Sequence, residues 1–348
     1  MANPVRFRIT TPVLRRAVST LALAILLLGI LTPALDSGQL TCAWCHKAIT
    51  KGQYYQIDGR YYHIDCYWDH VAPRCAVCGK PIEGTFITDG DKKYHEACYD
   101  NKVALRCDLC NAVIRGKYVQ TFWGEHYCAH HQGTAPECTY CGRFLGDRSN
   151  RGGQRYPDGR NVCNICLKTA VNDEDEAQRI MESVRGRLKQ IGIDVDIRDI
   201  PLHLVSRDEL GRRYGGDMSH NSGFCQHDYN EIGGRVFNQR FQIFILTGMP
   251  RMHFITTLSH ELMHVWQYQN CPLDNQIEFC EGSCNYAAWL VLRQIGGDKA
   301  AYQMKSLEQN QNPVYGGGFR RVKRLAEDRG NNGWLSTLQS HPRFPAGY

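Results

Sequence analysis

The 348-residue sequence predicts an α+β chain in two parts, a string of small metal-binding β-hairpin modules followed by a larger mixed domain. Three observations predict it. Thirteen of the seventeen cysteines fall between Cys42 and Cys166 in regularly spaced pairs, and short aromatic and β-branched runs with turn signals lie between the pairs. Beyond residue 170 an apolar strand leads into a helix that carries His260-Glu261-Leu262-Met263-His264. A hydrophobic content of 43% with 22% charge is that of an ordinary globular chain, with room for about two or three domains.

The first element is a targeting segment, residues 1–35. Arg6, Arg8, Arg15 and Arg16 precede an almost unbroken apolar run from Ala17 to Leu31, followed by the weak small-residue site Thr32-Pro33-Ala34. A cleaved signal peptide and an uncleaved anchor both fit the length, and Pro33 tilts the reading towards an anchor. Arginines before the run and none just after it place the remainder outside the cytoplasm, membrane-anchored or secreted.

Residues 42–166 form four units. Cys42, Cys45, His63 and Cys66 make the first, Cys75, Cys78, His95 and Cys98 the second, Cys107, Cys110, Cys128 and His131 the third, and Cys138, Cys141, Cys163 and Cys166 the fourth. Each offers two close pairs of soft ligands, which is what a tetrahedral structural zinc needs. All thirteen cysteines of the region are used, together with three histidines. A disulfide framework would not explain histidine in three of the pairs. Units of this size cannot bury a core large enough to fold alone, so zinc must supply the folding free energy. Runs such as Tyr54-Tyr55-Gln56-Ile57-Asp58-Gly59-Arg60-Tyr61-Tyr62, with Asp-Gly at the centre, predict β-hairpins.

The spacing resembles that of LIM domains, and His63, His95 and His131 fall where that family places its non-cysteine ligands. Eight residues separate Cys66 from Cys75 and Cys98 from Cys107, where a LIM domain has two between paired fingers, so the pairing of the units is open. The resemblance implies protein partners. Nucleic acid is disfavoured by charge. Three Cys₃His sites at −1 each and one Cys₄ site at −2 lower the formal +6 by five, and a fifth Zn²⁺ restores two, leaving +3. The four N-terminal arginines account for more than that, and no basic footprint remains.

Residues 172–348 form the last domain. Asn172-Asp173-Glu174-Asp175-Glu176 opens a packing helix with apolar positions at Ala177, Ile180, Met181, Val184 and Leu188. Pro201–Val205 reads as a strand, Gly211–Gly234 as a loop or irregular hairpin, and Phe241–Leu246 as a strand along whose edge an extended peptide can add. Gly248-Met249-Pro250 then turns the chain into the His260 helix.

Histidines four apart share one helix face and can grip one Zn²⁺, with Glu261 placed beside the water to be activated. A catalytic zinc wants a third protein ligand. Glu281, seventeen residues after His264 on the next helix, is the choice, giving a His₂Glu site of the thermolysin-like zincin (gluzincin) type; Glu278, one turn earlier, is the alternative, and Cys284 reads as a buried thiol.

Four segments carry a further resemblance: Ile245–Arg251, His260–Trp266, Cys280-Glu281-Gly282-Ser283-Cys284, and Asn312–Arg320. Together they look like the plant "DA-one" family of LIM-domain peptidases, regulators of organ growth. The likeness reaches from about residue 105 to the C-terminus. In that family a Glu-Glu-Gly motif supplies the third ligand that Glu281 matches, and here its first glutamate is Cys280. The family is cytosolic and ubiquitin-regulated, whereas this chain has an export-like start and no convincing ubiquitin-binding motif, which suggests a bacterial-type relative.

The resemblance also singles out Tyr315 as an oxyanion donor, with the following glycines admitting a substrate backbone, and Arg320 as a group for a substrate carbonyl or carboxylate. The expected function is therefore a zinc metalloendopeptidase acting on proteins or peptides, with about four structural zincs and one catalytic. The LIM-like modules would serve docking or regulation. The alternative is a LIM-type adaptor in which the zincin domain is silent.

Overall fold

The computed structural model describes residues 8–10, 15–18, 39–50, 52–215, 221–232, 235–272 and 274–348. Most of the N-terminal apolar run lies outside these residues. Its first two members, Ala17 and Val18, belong to a strand, Arg15–Val18, that pairs antiparallel with Thr85–Asp89. Among the described residues no helix is long and apolar enough to cross a membrane.

The chain divides into two compact units. The smaller takes in Ile9–Val119 and His126–Ala129, the larger Gln120–Glu125 and His130–Tyr348. The division does not fall where the cysteines thin out near residue 170. The fourth module packs with the helical part, and Cys138, Cys141, Val162, Cys163 and Cys166 are members of the larger unit's core.

In the smaller unit the expected hairpins form. Tyr54–Ile57 pairs with Arg60–His63 across Asp58 and Gly59, both at positive φ (48° and 77°), as a tight primed turn requires. A second hairpin joins Thr85–Asp89 to Lys92–Tyr94. Each buries little. One apolar cluster has Cys42, Tyr62, Tyr67 and Ala72 at its centre, the next Cys75, Ile82, Phe86, Ile87, Tyr94 and Tyr99.

Every module of both units opens with the same knuckle. The carbonyls of Cys42, Cys75, Cys107 and Cys138 accept from the N–H groups of His46, Gly79, Asn111 and Gly142 at 2.8–2.9 Å. Those four residues all have positive φ, between 59° and 72°. Glycine takes this conformation freely, and asparagine and histidine are among the side chains that tolerate it.

The larger unit is built on a three-stranded sheet and a helical layer. Helix α1 (Glu174–Gln190) starts at Asp173, whose side chain accepts from Glu176 N–H, and buries the five apolar positions expected of it. Strand β1 (Leu202–Val205) is followed by helix α2 (Arg207–Tyr214), which overturns the expectation of a loop from Gly211. Its start has a capping signature, Ser206-x-x-Glu209, with Ser206 accepting from Glu209 N–H. Further on, the irregular-hairpin alternative holds: strand β2 (Gly223–Ile232) pairs antiparallel with β3 (Arg235–Leu246), with a register shift between Asp228 and Asn230.

The sheet order is β1-β3-β2, with β1 parallel and β2 antiparallel to β3. Strand β3 is therefore central and cannot offer the free edge expected of it. The reason is in its sequence: Ile243–Leu246 are all buried, so both faces are covered, whereas a half-solvated strand alternates. The edge strands are β1 and β2, and β2 is the one that lies against α3 at Glu261.

Helix α3 (Arg251–Asn270) is buried around much of its circumference, and α4 (Ile277–Ile295), α5 (Asp298–Glu308) and α6 (Gly318–Ser340, kinked at Gly330) complete the layer. Helices α4 and α6 meet through glycine. A Cβ on Gly318 would sit 2.0 Å from the Glu278 carbonyl oxygen, and one on Gly282 would sit 2.3 Å from the Gly318 carbonyl carbon. Gly316 is closed off by the Asn310 carbonyl at 1.9 Å. Two of the three glycines after Tyr315 thus serve backbone packing and not substrate approach. Gly318→Ala is expected to lower stability by about 1–3 kcal/mol, because only backbone can move aside. An unchanged denaturation midpoint would count against this contact.

The fourth module is fixed to the start of α3. Ala170 and Val171 pair with Pro250 and Met249, and Arg251 N–H donates to the Thr169 carbonyl at 2.6 Å. Buried Arg160 donates to Tyr140 Oη (2.8 Å) and the Thr247 carbonyl (2.9 Å) while pairing with Asp158 at 2.7 Å. Trp123 donates to the Cys141 carbonyl and stacks on Tyr302 of α5.

Candidate metal centre

Helix α3 presents His260 and His264 one turn apart, and α4 brings Glu281 against both. His260 Nε2 and His264 Nε2 lie 3.2 Å apart, and Glu281 Oε2 lies 3.1 Å from the first and 3.7 Å from the second. Zinc bonds of about 2.0–2.2 Å to nitrogen and oxygen place tetrahedral ligands about 3.3–3.5 Å from one another, and the three distances bracket that value. Glu278, in the first turn of α4, takes no part in this triangle.

The outer ring nitrogens are held as well. His260 Nδ1 is 3.0 Å from Asn285 Oδ1, and His264 Nδ1 is 3.1 Å from Gln267 Oε1. An amide oxygen only accepts, so each Nδ1 carries the proton and each Nε2 presents its lone pair inward. Neither Nε2 then has a hydrogen for Glu281 Oε2, which is buried and accepts no hydrogen bond. Two lone pairs and an unsatisfied carboxylate oxygen converging on one point is the arrangement a cation completes. The donor set fits zinc.

Asn285 and Gln267 were not legible as functional residues, although each has a helical-spacing signal. Asn285 is four residues after Glu281 and Gln267 three after His264, on the faces that already carry ligands. Asn285 also donates to the Tyr315 carbonyl at 3.1 Å, so one side chain aims a ligand and anchors the segment that bears Tyr315. Asn285→Ala is expected to weaken metal affinity about 10–100-fold, which competition with a chromogenic chelator would measure.

Glu261 is buried beside the histidines. Burial raises its carboxyl above the usual range, against the opposing pull of His260, His264 and a hydrogen bond from the Cys225 backbone. Gly223 of β2 lies over it: a Cβ there would meet Thr257 at 2.5 Å and Glu261 Oε1 at 3.1 Å. Without a side chain the strand comes down onto α3, and Asn221, Ser222 and Gly223 line one cleft with His260, Glu261 and Tyr315.

Glu281 is held well below the carboxylate range; burial opposes this, and the adjacent histidines outweigh it.

The Tyr315 ring is centred 6.4 Å from that of His260. Burial, reinforced by the Glu281 charge, pushes its hydroxyl up to about 12. It therefore remains a proton-bearing donor at neutral pH. Arg320 does not reach the cleft; it donates to the Asn310 carbonyl at 2.7 Å and ties the Tyr315 segment to the end of α5.

None of the seventeen cysteines is joined in a disulfide. In the first module Cys45 and Cys66 Sγ lie 3.4 and 3.9 Å from His63 Nδ1, and in the second Cys78 and Cys98 Sγ lie 3.5 and 3.9 Å from His95 Nδ1. Cys110 and Cys128 Sγ are 3.9 Å apart in the third, and Cys141 and Cys163 Sγ 3.6 Å apart in the fourth. Zinc bonds of about 2.3 Å to sulfur and 2.0–2.1 Å to nitrogen give tetrahedral edges of about 3.5–3.8 Å. The modules are Cys/His clusters suited to zinc.

No family model matches the sequence. The LIM domain-containing protein HDR3 of Oryza sativa subsp. japonica is 28% identical over 298 residues, covering 75% of this chain and 58% of its own length. Protein DA1 of Arabidopsis thaliana is 26% identical over 371 residues, covering 87% of this chain and 68% of itself. Protein DA1-related 7 of the same plant is 25% identical over 369 residues, covering 86% and 58%. The chain thus spans less than two thirds of the length of the rice protein. By extent and by its Cys/His modules, the chain is similar to the plant DA1, DA1-related and LIM domain-containing proteins.

Proposed function

We propose that the chain is a zinc metallopeptidase in which His260, His264 and Glu281 hold the metal, Glu261 is the general base and Tyr315 the oxyanion donor. One observation carries the reading: three donor atoms on partly buried side chains converge at tetrahedral spacing with the buried Glu261 carboxylate beside them and an open cleft in front. Zinc, when bound there, lowers the pKa of water to about 7 and polarises a carbonyl.

The chain's own residues do the rest. An extended peptide adds along the edge of β2, near Asn221–Gly223, which brings its scissile carbonyl over Glu261. Glu261 accepts the proton of the attacking water and passes it to the departing amine. The Tyr315 hydroxyl donates to the developing oxyanion, a contribution of about 3 kcal/mol for a well-placed donor. Asn285 and Gln267 keep both imidazoles turned inward throughout. The LIM-like modules select or dock the protein to be cut, in keeping with the LIM domains named in a relative.

A metal count on the purified chain combined with a peptide-library digest tests the reading. Five zincs, four in the Cys/His modules and one at His260, His264 and Glu281, with cleavage support it. Four zincs without cleavage would leave a LIM-type adaptor.

A further inference from the structure

One cluster beside the metal centre is unused by that chemistry. Cys280 and Cys284 lie one helical turn apart on α4, on either side of Glu281 in sequence. Their Sγ atoms are 3.9 and 3.4 Å from His264 Nδ1, the ring nitrogen turned away from Glu281. They are also 3.1 and 3.3 Å from Gln267 Oε1.

The zinc modules of the same chain provide a ruler for these distances. Around His63 Nδ1 the two sulfurs stand at 3.4 and 3.9 Å, and around His95 Nδ1 at 3.5 and 3.9 Å. Around His264 Nδ1 the pair 3.4 and 3.9 Å repeats them. A single ion cannot take both nitrogens of His264, because the two lone pairs point to opposite sides of the ring. The Nδ1 side of His264 is therefore a separate place for an ion from the one between His260 and His264, and Cys284 Sγ stands within 4.8 Å of a ring nitrogen of each histidine.

We propose that Cys280, Cys284 and His264 Nδ1, with Gln267 Oε1 as a weak fourth donor, form a second site for a soft, thiolate-preferring divalent cation, sharing the His264 ring with the catalytic centre. Two features support it besides the spacing. Gln267 Oε1 is approached by three donors at once, the two thiols and Nδ1–H, and its two lone pairs serve only two of them well. An ion held by both sulfurs and Nδ1 would remove that excess. Access is also provided, since Cys284 is fully buried while Cys280 is partly exposed. The site rests on the peptidase reading only through the shared ring.

Cobalt(II) is the probe. It binds N/S sites less tightly than zinc, so it leaves zinc-loaded centres in place and fills a vacant one. Added under reducing conditions to the full chain carrying five equivalents of zinc, Co²⁺ is expected to bind at one equivalent with a tetrahedral spectrum and a thiolate-to-cobalt charge-transfer band. Cys280→Ser should retain its zinc and lose that band, with cobalt affinity reduced at least about tenfold. Cobalt should also protect Cys280 of the unaltered chain from iodoacetamide, as read by mass spectrometry. No thiolate band in the unaltered chain, an unchanged band in Cys280→Ser, or an unprotected Cys280 would each overturn the proposal. A catalytic centre that lacked zinc would take cobalt in the Cys280→Ser chain as well, so failure of the peptidase reading is told apart.

Discussion

A Glu261→Gln chain is expected to keep its zinc and its fold while proteolysis falls by about 10²–10⁴-fold in kcat, the usual cost of removing a general base. The amide matches the carboxylate in shape but cannot accept the proton of water. Two facts argue that the fold survives. Burial already disfavours the charged form of Glu261, so a neutral replacement costs little. The metal-holding atoms belong to other residues, each oriented by its own partner: Asn285 for His260 and Gln267 for His264. Comparing peptide cleavage and zinc content of the two chains checks this. Full activity in the variant would remove Glu261 from the mechanism, and lost zinc would reassign it to holding the metal.

The second large effect is expected on the smaller unit, which should unfold when its zinc is removed. Among the described residues two of its apolar clusters centre on four and six buried residues, far below what a stable core needs. Structural zinc in small modules supplies about 10–16 kcal/mol, which here would substitute for a core. Hydrogen exchange should show protection of the knuckle amides, His46, Gly79 and Asn111 among them, collapsing on chelation. Protection that survives full zinc removal would mean that the hairpins fold by themselves.

Local chemistry made much of this legible in the sequence. Asp58-Gly59 demanded a primed turn and formed one, and the five apolar positions of α1 are the five it buries. The His260 to His264 spacing placed two ligands on one face, and Glu281 arrived at them from the next helix. What escaped depended on neighbours distant in sequence. Strand β3 reads as a place for peptide addition until β1 and β2 are seen to occupy both its sides. Gly316 and Gly318 read as room for substrate because a glycine does not announce that Asn310 and Glu278 carbonyls stand against it. Arg320 looked free to meet a ligand, and the carbonyl of Asn310 holds it. Helix α2 is the exception. Its Ser206 cap was present in the sequence and was outweighed by the glycines that follow.

The attachment of the Cys₄ module to the head of α3 also bears on how the proposed activity would be assayed. Cys163 and Cys166 stand only a few residues before Ala170–Val171, the pair of residues that clasps Met249–Pro250, and His260 lies on the helix that begins there. A chelator that strips the Cys₄ zinc would loosen that clasp and disturb the histidines without touching them. Inhibition by chelation is therefore ambiguous for this chain, and zinc restored one equivalent at a time, with cleavage followed at each addition, is the form of the assay that separates a reacting metal from a supporting one.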